Sequence, residues 1–257
     1  EEYEALVDTW VSKRDPVGEV IWEQRHDEQG GNDIAHGVAV DGDGNVIVVG
    51  EQFVVGEGAN IWIAKYTAEG DQLWTKTYIG EGTLGDIARG VAVDPQGDYV
   101  VVGQLAVKGE DTNFWVAKLD PAGNELWSDI YNGPSDLGDS ARGVAVDSDG
   151  NIWAVGDEYK LIGLANIVVR KYDPAGTLLF SDVYDHKAGI DRAHGVAILS
   201  DDSAVVVGEI YEPIGLADLW IRRYTAAGSE LWTKSWDNKA GNDIIRAVAV
   251  DGEDHIF

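Results

Sequence analysis

The sequence predicts an all-β chain: a five-bladed β-propeller with four antiparallel strands per blade, its ring closed by the two chain ends. Three observations carry that expectation. First, GNDIAHGVAVDGDGNVIVVG (31–50) returns as LGDIARGVAVDPQGDYVVVG (84–103), LGDSARGVAVDSDGNIWAVG (137–156) and GIDRAHGVAILSDDSAVVVG (189–208), and GNDIIRAVAVDGEDHIF (241–257) begins a fifth copy. Asp33, Asp86, Asp139, Asp191 and Asp243 open the copies at spacings of 53, 53, 52 and 52 residues, and a fixed period of this length marks a repeat architecture. Second, each unit reads as short strands separated by Gly-, Asp- and Asn-bearing turns, with no helical period longer than a turn. Third, DTWVSKRDPVGEVIW (8–22) matches NIWIAKYTAEGDQLW (60–74), NFWVAKLDPAGNELW (113–127), NIVVRKYDPAGTLLF (166–180) and DLWIRRYTAAGSELW (218–232). The N-terminus thus supplies the second half of a unit whose first half stands at the C-terminus.

Within the first complete unit, GVAVD (37–41) and NVIVVG (45–50) are β-branched strands joined by the turn residues Asp41, Gly42, Asp43 and Gly44. IWIAKY (61–66) alternates at period two, TAEGD (67–71) is a hairpin turn, and QLWTKTY (72–78) is the fourth strand. Four antiparallel strands per unit make a propeller blade. The expected blades are 33–74, 86–127, 139–180, 191–232, and 243–257 joined to 1–22, so that 1–257 is one domain. Two strands from each end would remove the open sheet edge that invites aggregation.

Composition bounds the partners. A net charge of −27, from 46 acidic and 19 basic residues, repels phosphate backbones and anionic membranes, so no nucleic acid is expected. No apolar run approaches the roughly 18 residues of a membrane span, so no membrane insertion is expected. The chain has no cysteine, which excludes disulfides and thiolate zinc sites, and no methionine. The missing methionine suggests a removed signal peptide or a longer product, and hence an exported protein: extracellular, at the cell surface or periplasmic.

The short hairpins share one face of such a disc. DGDGN (41–45) there resembles the start of a calcium loop, but it lacks the distal bidentate glutamate, and Gln96 or Asp202 replaces its second acid elsewhere. Neither a metal nor a cofactor is expected. On the opposite face, each opening aspartate is followed three residues later by a base: His36, Arg89, Arg142, His194 and Arg246. These ten side chains are expected around the mouth of the central channel, either as ion pairs or loop anchors that fix neighbouring blades, or as ligand clefts. Tyr78, Tyr131, Tyr184 and Trp236 supply an aromatic beside each, with His26 in the closing unit. The longer loops on this face are apolar around Phe53, Leu105, Ile162 and Ile214, and at 2–7, which reads as a contact surface for another protein. Trp10, Trp62, Trp115 and Trp220 recur in strand three and Trp22, Trp74, Trp127 and Trp232 in strand four, as packing between sheets would require.

The unit D-x-A-x-G-V-A-V-D-x-x-G-N-x-x-V-V-G, followed by N-x-W-V-A-K-Y-D-P-A-G-x-x-L-W, resembles the bacterial β-propeller repeat family (SBBP-type), found largely in exported and surface proteins. The resemblance spans nearly the whole chain and brings no catalytic residues. Leu199 departs from it in place of an aspartate and Ala247 in place of a glycine.

These readings together favour a non-enzymatic binding or protein-interaction module acting through its loop face, on another protein or a glycan. A five-site lectin is the alternative, because acid, planar donor and aromatic suit a sugar ring. A glycoside hydrolase with channel carboxylates is the rival of another class, disfavoured because catalysis needs acids in unlike environments and this ring looks nearly symmetric.

Overall fold

The protein was analysed as a computed structural model that describes residues 8–27, 31–161, 164–186, 189–211, 216–237 and 241–257. All of its regular structure among these is strand. Strands β1 (Thr9–Arg14) and β2 (Val20–His26) form a two-stranded sheet. The first four-stranded sheet is β3 (Ile34–Val40), β4 (Val46–Val54), β5 (Gly58–Tyr66) and β6 (Gln72–Tyr78). The second is β7 (Ile87–Val93), β8 (Tyr99–Ala106), β9 (Thr112–Leu119) and β10 (Glu125–Tyr131), and the third β11 (Ser140–Val146), β12 (Ile152–Leu161), β13 (Leu164–Tyr172) and β14 (Leu178–Tyr184). The fourth is β15 (Arg192–Ile198), β16 (Ala204–Tyr211), β17 (Ala217–Tyr224) and β18 (Glu230–Trp236). Each is an antiparallel meander in chain order, as the turn chemistry requires.

The two central strands of each sheet are buried on both faces and the fourth strand alternates, so the core lies between adjacent sheets. The first strands of the four sheets stand side by side around a common space. A Cβ on Gly143 would lie 2.9 Å from the His194 carbonyl oxygen, so the glycine of GVAV permits this approach. Gly37 and Val38 and their counterparts in the other three sheets line that space, and Arg246, Ala247 and Val248 complete its wall.

Neighbouring sheets are fastened at the hairpin end by one repeated device. The strand-three lysine and strand-four tryptophan of one sheet donate to the same turn carbonyl of the next. Lys13 Nζ and Trp22 Nε1 reach Ala68 O at 2.7 and 3.1 Å, and Lys65 Nζ and Trp74 Nε1 both reach Pro121 O at 3.2 Å. Lys118 Nζ and Trp127 Nε1 reach Pro174 O at 3.4 and 3.1 Å. The recurrence of tryptophan is inter-sheet packing with a polar pin at the rim of the ring.

The two chain ends flank the remaining gap. The β1–β2 sheet lies on the first sheet, with Trp22 6.0 Å from Tyr66 and His26 stacked 4.3 Å from Trp62. At the other end, Phe257 N donates to Ala249 O (2.9 Å) to make a hairpin, which packs Ile245, Val248, Val250 and Ile256 on Leu199, Val205, Val207 and Ile221. Ser200 Oγ donates to Asp254 Oδ2 across this boundary (2.5 Å). Each half of the expected fifth unit thus lies on the sheet that adjoins it in the chain, the β1–β2 sheet on the first and the C-terminal hairpin on the fourth. No strand ladder joins them among the described residues, which differs from the expected two-plus-two pairing. Consequently Trp10 is 51% exposed, whereas its counterparts Trp62, Trp115 and Trp220 are buried.

Candidate functional site at the mouth of the central channel

The first strand of each complete sheet is irregular at one residue. Pairing runs from Ala35–Gly50 directly to Gly37–Val49, so His36 has no partner opposite it, and Arg89, Arg142 and His194 are skipped in the same way. Each base is therefore the extra residue of a β-bulge, a device that re-aims a side chain. Its partner is the residue after the strand-two glycine. His36 Nε2 lies 3.1 Å from Glu51 Oε1, Arg89 Nη2 donates to Gln104 Oε1 (2.8 Å), and Arg142 Nε donates to Asp157 Oδ1. His194 Nε2 stands 3.6 Å from Glu209 Oε1, too far for a hydrogen bond.

The expected ion pair between each base and the aspartate three residues before it does not form; the other structural reading, the loop anchor, fits the aspartates of the complete sheets. The four aspartates of the complete sheets are buried beneath the loops and accept backbone N–H groups. Asp33 takes Phe53 N (2.9 Å), and Asp86 takes Ala106 N and Gly80 N (both 2.6 Å). Asp139 takes Tyr159 N (2.9 Å) and Gly133 N, and Asp191 takes Tyr211 N and His186 N (both 2.8 Å). In the last copy, Asp243 N donates to Ala217 O at 2.7 Å. Burial pushes Asp139 up to about 7 and Asp191 to about 6, against the lowering effect of the amides that each accepts. They anchor loops and do not line a mouth.

The aromatic residues are also placed differently from the expectation of ligand clefts. Tyr78 packs 5.2 Å from Trp115, Tyr184 5.4 Å from Trp220, and Tyr131 donates its hydroxyl to Glu158. They are thus inter-sheet contacts, and only Trp236, 49% exposed, is open to solvent. Among the apolar loop residues, Leu105 folds back on the core between the first and second sheets, while Phe53 stays 37% exposed. Ile162, Ile214 and residues 2–7 lie outside the described residues.

The mouth is less symmetric than the repeat suggests. Where the first, third and fourth sheets carry Glu51, Asp157 and Glu209, the second carries Gln104. Where β3 and β7 begin with Ile34 and Ile87, β11 begins with Ser140 and β15 with Arg192. Thr112 stands where the other units have Ala59, Ala165 and Ala217. Gln104, Ser140 and Thr112 converge on one cleft between the second and third sheets, of about 370 Å³, which Asp111, Leu137, Gly138, Arg142, Asp157 and Tyr159 complete.

Charge is concentrated here. Arg89 is held by two neutral oxygens, Gln104 Oε1 and Ser140 Oγ (3.0 Å from Nε). Arg142 and Arg192 approach the fully buried Asp157 from either side, with Arg192 Nε 3.7 Å from Oδ2 and its Nη2 donating to the Tyr159 hydroxyl at 2.8 Å. Burial lowers Arg89, and the guanidiniums of Arg142 and Arg192 lower it further, against the pull of Asp157 and Glu51. Asp157 Oδ2, Arg192 Nε, His194 Nε2 and Glu209 Oε2 are buried with no hydrogen-bond partner.

The hairpin face is chemically quieter. Asp41 Oδ1 accepts from Asp43 N and Asn45 N, and Oδ2 accepts from Asn45 and Tyr99, so the carboxylate closes its own turn. Although burial works against it, the bonds from Asn45 and Tyr99 hold this group at about 2. In the fourth sheet Leu199 replaces the turn aspartate, and the strand-three lysine becomes Arg223, which reaches Asp201 and Ser203 instead. Among the described residues no group of three or more metal-ligating side chains gathers.

No family model and no curated protein matches this sequence. Solved structures do share its fold. A protein of unknown function from Dyadobacter fermentans DSM 18053 superposes with a TM-score of 0.53 at 13% identity, over 89% of this chain and 70% of that one. This chain is an all-β protein of propeller architecture. A gluconolactonase from Xanthomonas campestris (TM-score 0.44, 15% identity, 85% of this chain and 74% of that) is also similar. So is a virginiamycin B lyase from Staphylococcus aureus (TM-score 0.41, 11% identity, 84% and 74%). The latter two are named as enzymes. That overturns the sequence-based reading of this chain as non-enzymatic, because the architecture it adopts is also a scaffold for catalysis.

Proposed function

We propose that the protein is a binding module whose recognition end is the loop face, with the ligand seated in the cleft between the second and third sheets at the channel mouth. One observation carries this reading: Gln104, Ser140 and Thr112, three polar departures from the repeat, meet in that single cleft. Gln104 and Ser140 also hold Arg89, but a repeat maintained for that contact alone has no reason to add Thr112 beside them, and a pocket with a few convergent polar groups is what a small-molecule site requires. Donors and acceptors together, on Arg142, Ser140, Tyr159 and Asp157, favour a saccharide over an apolar protein surface, and the packing of the half-buried Leu105 on the core weakens the latter. Filling the cleft by Ser140→Trp should abolish retention on a glycan array while leaving the circular dichroism spectrum intact. Equal retention by both proteins would reject the cleft.

The reading includes a ring closed at five units, with the Val250–Ile256 hairpin and the β1–β2 sheet as its last blade. The shared wall of the central space, with Ala247 and Val248 in the fifth position, supports it. Closure requires the edge of β1 away from β2 to be hydrogen-bonded, so slow amide exchange is expected at every residue of Val11–Lys13. Rapid exchange at alternate residues there would mean an open ring. The resemblance to the SBBP-type repeat supports an exported or surface location, which fractionation of the source cells checks.

A further inference from the structure

A fourth departure from the repeat stands in the wall of the same cleft. Asp111 directly precedes Thr112, where the other complete units carry Gly58, Leu164 and Leu216. It is half-buried, and its Oδ1 accepts from Thr112 N at 2.8 Å. A Cβ on Gly138 would lie 3.1 Å from Thr112 Oγ1 and 3.4 Å from Asp111 Oδ1, so this glycine gives both side chains room on one wall. Among the described residues no base forms an ion pair with Asp111, and its second oxygen takes part in no bond of the protein. The one base that lines the cleft, Arg142, is committed through Nε to the buried Asp157. Two acids against one base leave the lining with one negative charge. Arg89 and Arg192 do not line it, and each also faces an acid elsewhere, Glu51 and Glu209. In a chain of net charge −27 the wider field has the same sign, so it draws cations in and turns anions away.

Resting on the recognition role argued above, we infer that this cleft takes a cationic amino sugar of monosaccharide size. The ammonium meets the free oxygen of Asp111 in an ion pair that an uncharged sugar cannot form. The Tyr159 hydroxyl accepts from Arg192 and keeps its own proton for a ring oxygen, and Thr112 adds a hydroxyl beside Asp111. Half-buried Leu137 offers an apolar wall to the C–H face of the ring. At about 370 Å³ the cleft is near the small end of the roughly 300–1,000 Å³ typical of ligand pockets, which limits it to one sugar unit. A neutral sugar would leave Asp111 without a counter-charge, and an acidic one would meet an unpaired acid.

Isothermal titration of the intact protein at low salt and mildly acidic pH, with glucosamine, N-acetylglucosamine, glucose and ethylammonium, tests this. Glucosamine should bind about tenfold more tightly than glucose, the low end for a hydrogen bond to a charged group. N-acetylglucosamine, whose amide carries no charge, should show no such gain. Asp111→Asn keeps an acceptor for the Thr112 N–H and should remove most of the preference while leaving glucose binding nearly unchanged. Asp111→Glu keeps the charge and should retain part of it. Asp43→Asn deletes the same charge on the hairpin face and should leave the preference intact; an equal loss there would assign it to the overall field and overturn the inference. Equal binding of glucose and glucosamine would also overturn it but leave a saccharide site in place. Ethylammonium binding as tight as glucosamine would reduce the cleft to a general cation site. No heat from any probe would overturn the assignment too, and the Ser140→Trp comparison on the array then decides separately whether the cleft binds at all.

Discussion

Asp94→Ala is expected to cost about 3–5 kcal/mol of stability, the range for removing one member of a buried ion pair. Asp94 directly follows the first strand of the second sheet, and Lys118 stands in its third strand. Lys118 Nζ is 2.7 Å from Asp94 Oδ2, with side-chain exposures of 5% and 0%. The ammonium also reaches Asp98 at 3.2 Å and Pro174 O of the next sheet at 3.4 Å. Burial works against the charge of Lys118, but Asp94 and Asp98 outweigh it and raise its pKa. Removing Asp94 therefore leaves the buried cation with Asp98 as its one acidic partner and loosens the pin to the third sheet. Urea unfolding of Asp94→Ala, Lys118→Met and the double variant measures this. The double variant should be less damaged than the sum of the singles, because no unpaired charge remains. A loss under about 1 kcal/mol for Asp94→Ala, the value of an exposed pair, would show that the lysine finds water instead.

The period, the four strands per unit and the inter-sheet role of the tryptophans were legible because each is repeated and local. The candidate site was less so. Asp139 and Arg142 looked like a pair at a spacing of three, but extended chain advances about 3.3 Å per residue, which sets such residues roughly 10 Å apart. The partner of Arg142 comes from β12, fifteen residues on, and Asp139 is drawn under its loop by the amides of Gly133 and Tyr159. One signal was present in the sequence: Glu51, Gln104, Asp157 and Glu209 are polar residues directly after the glycine of an apolar strand. Read column by column, Gln104, Ser140 and Thr112 already depart from their repeats. Only the radial stacking of sheets shows that these three columns meet in one cleft. Leu105 could not be placed from sequence either, since an apolar loop residue can face solvent or cover a blade end equally well. Packing against the core between the first and second sheets decides for the latter.

Gly156→Ala should disrupt both stability and binding, and it links the fold to the site. Gly156 pairs with Ala141 just before the bulge at Arg142. A Cβ there would fall on the carbonyl oxygen of Ser140, far inside van der Waals contact, with the Ala141 Cα only 3.0 Å away. Both obstacles are backbone, so no rotamer relieves them. The first strand must move, and with it the bulge that aims Arg142 and the start of β11 that carries Ser140. Overpacking of this kind costs roughly 1–3 kcal/mol and occasionally more, and a backbone obstacle puts this substitution at the upper end. Gly103, Gly50 and Gly208 hold the equivalent places, so the same loss of stability is expected for Gly208→Ala at the fourth sheet. The two variants should separate in function. Gly156→Ala displaces the cleft between the second and third sheets and should abolish sugar binding, whereas Gly208→Ala disturbs His194 and should retain most of it. Thermal melts of both, beside titrations of the fraction that folds, test the pair. Equal binding by the two would mean that the bulge at Arg142 has no special part in recognition.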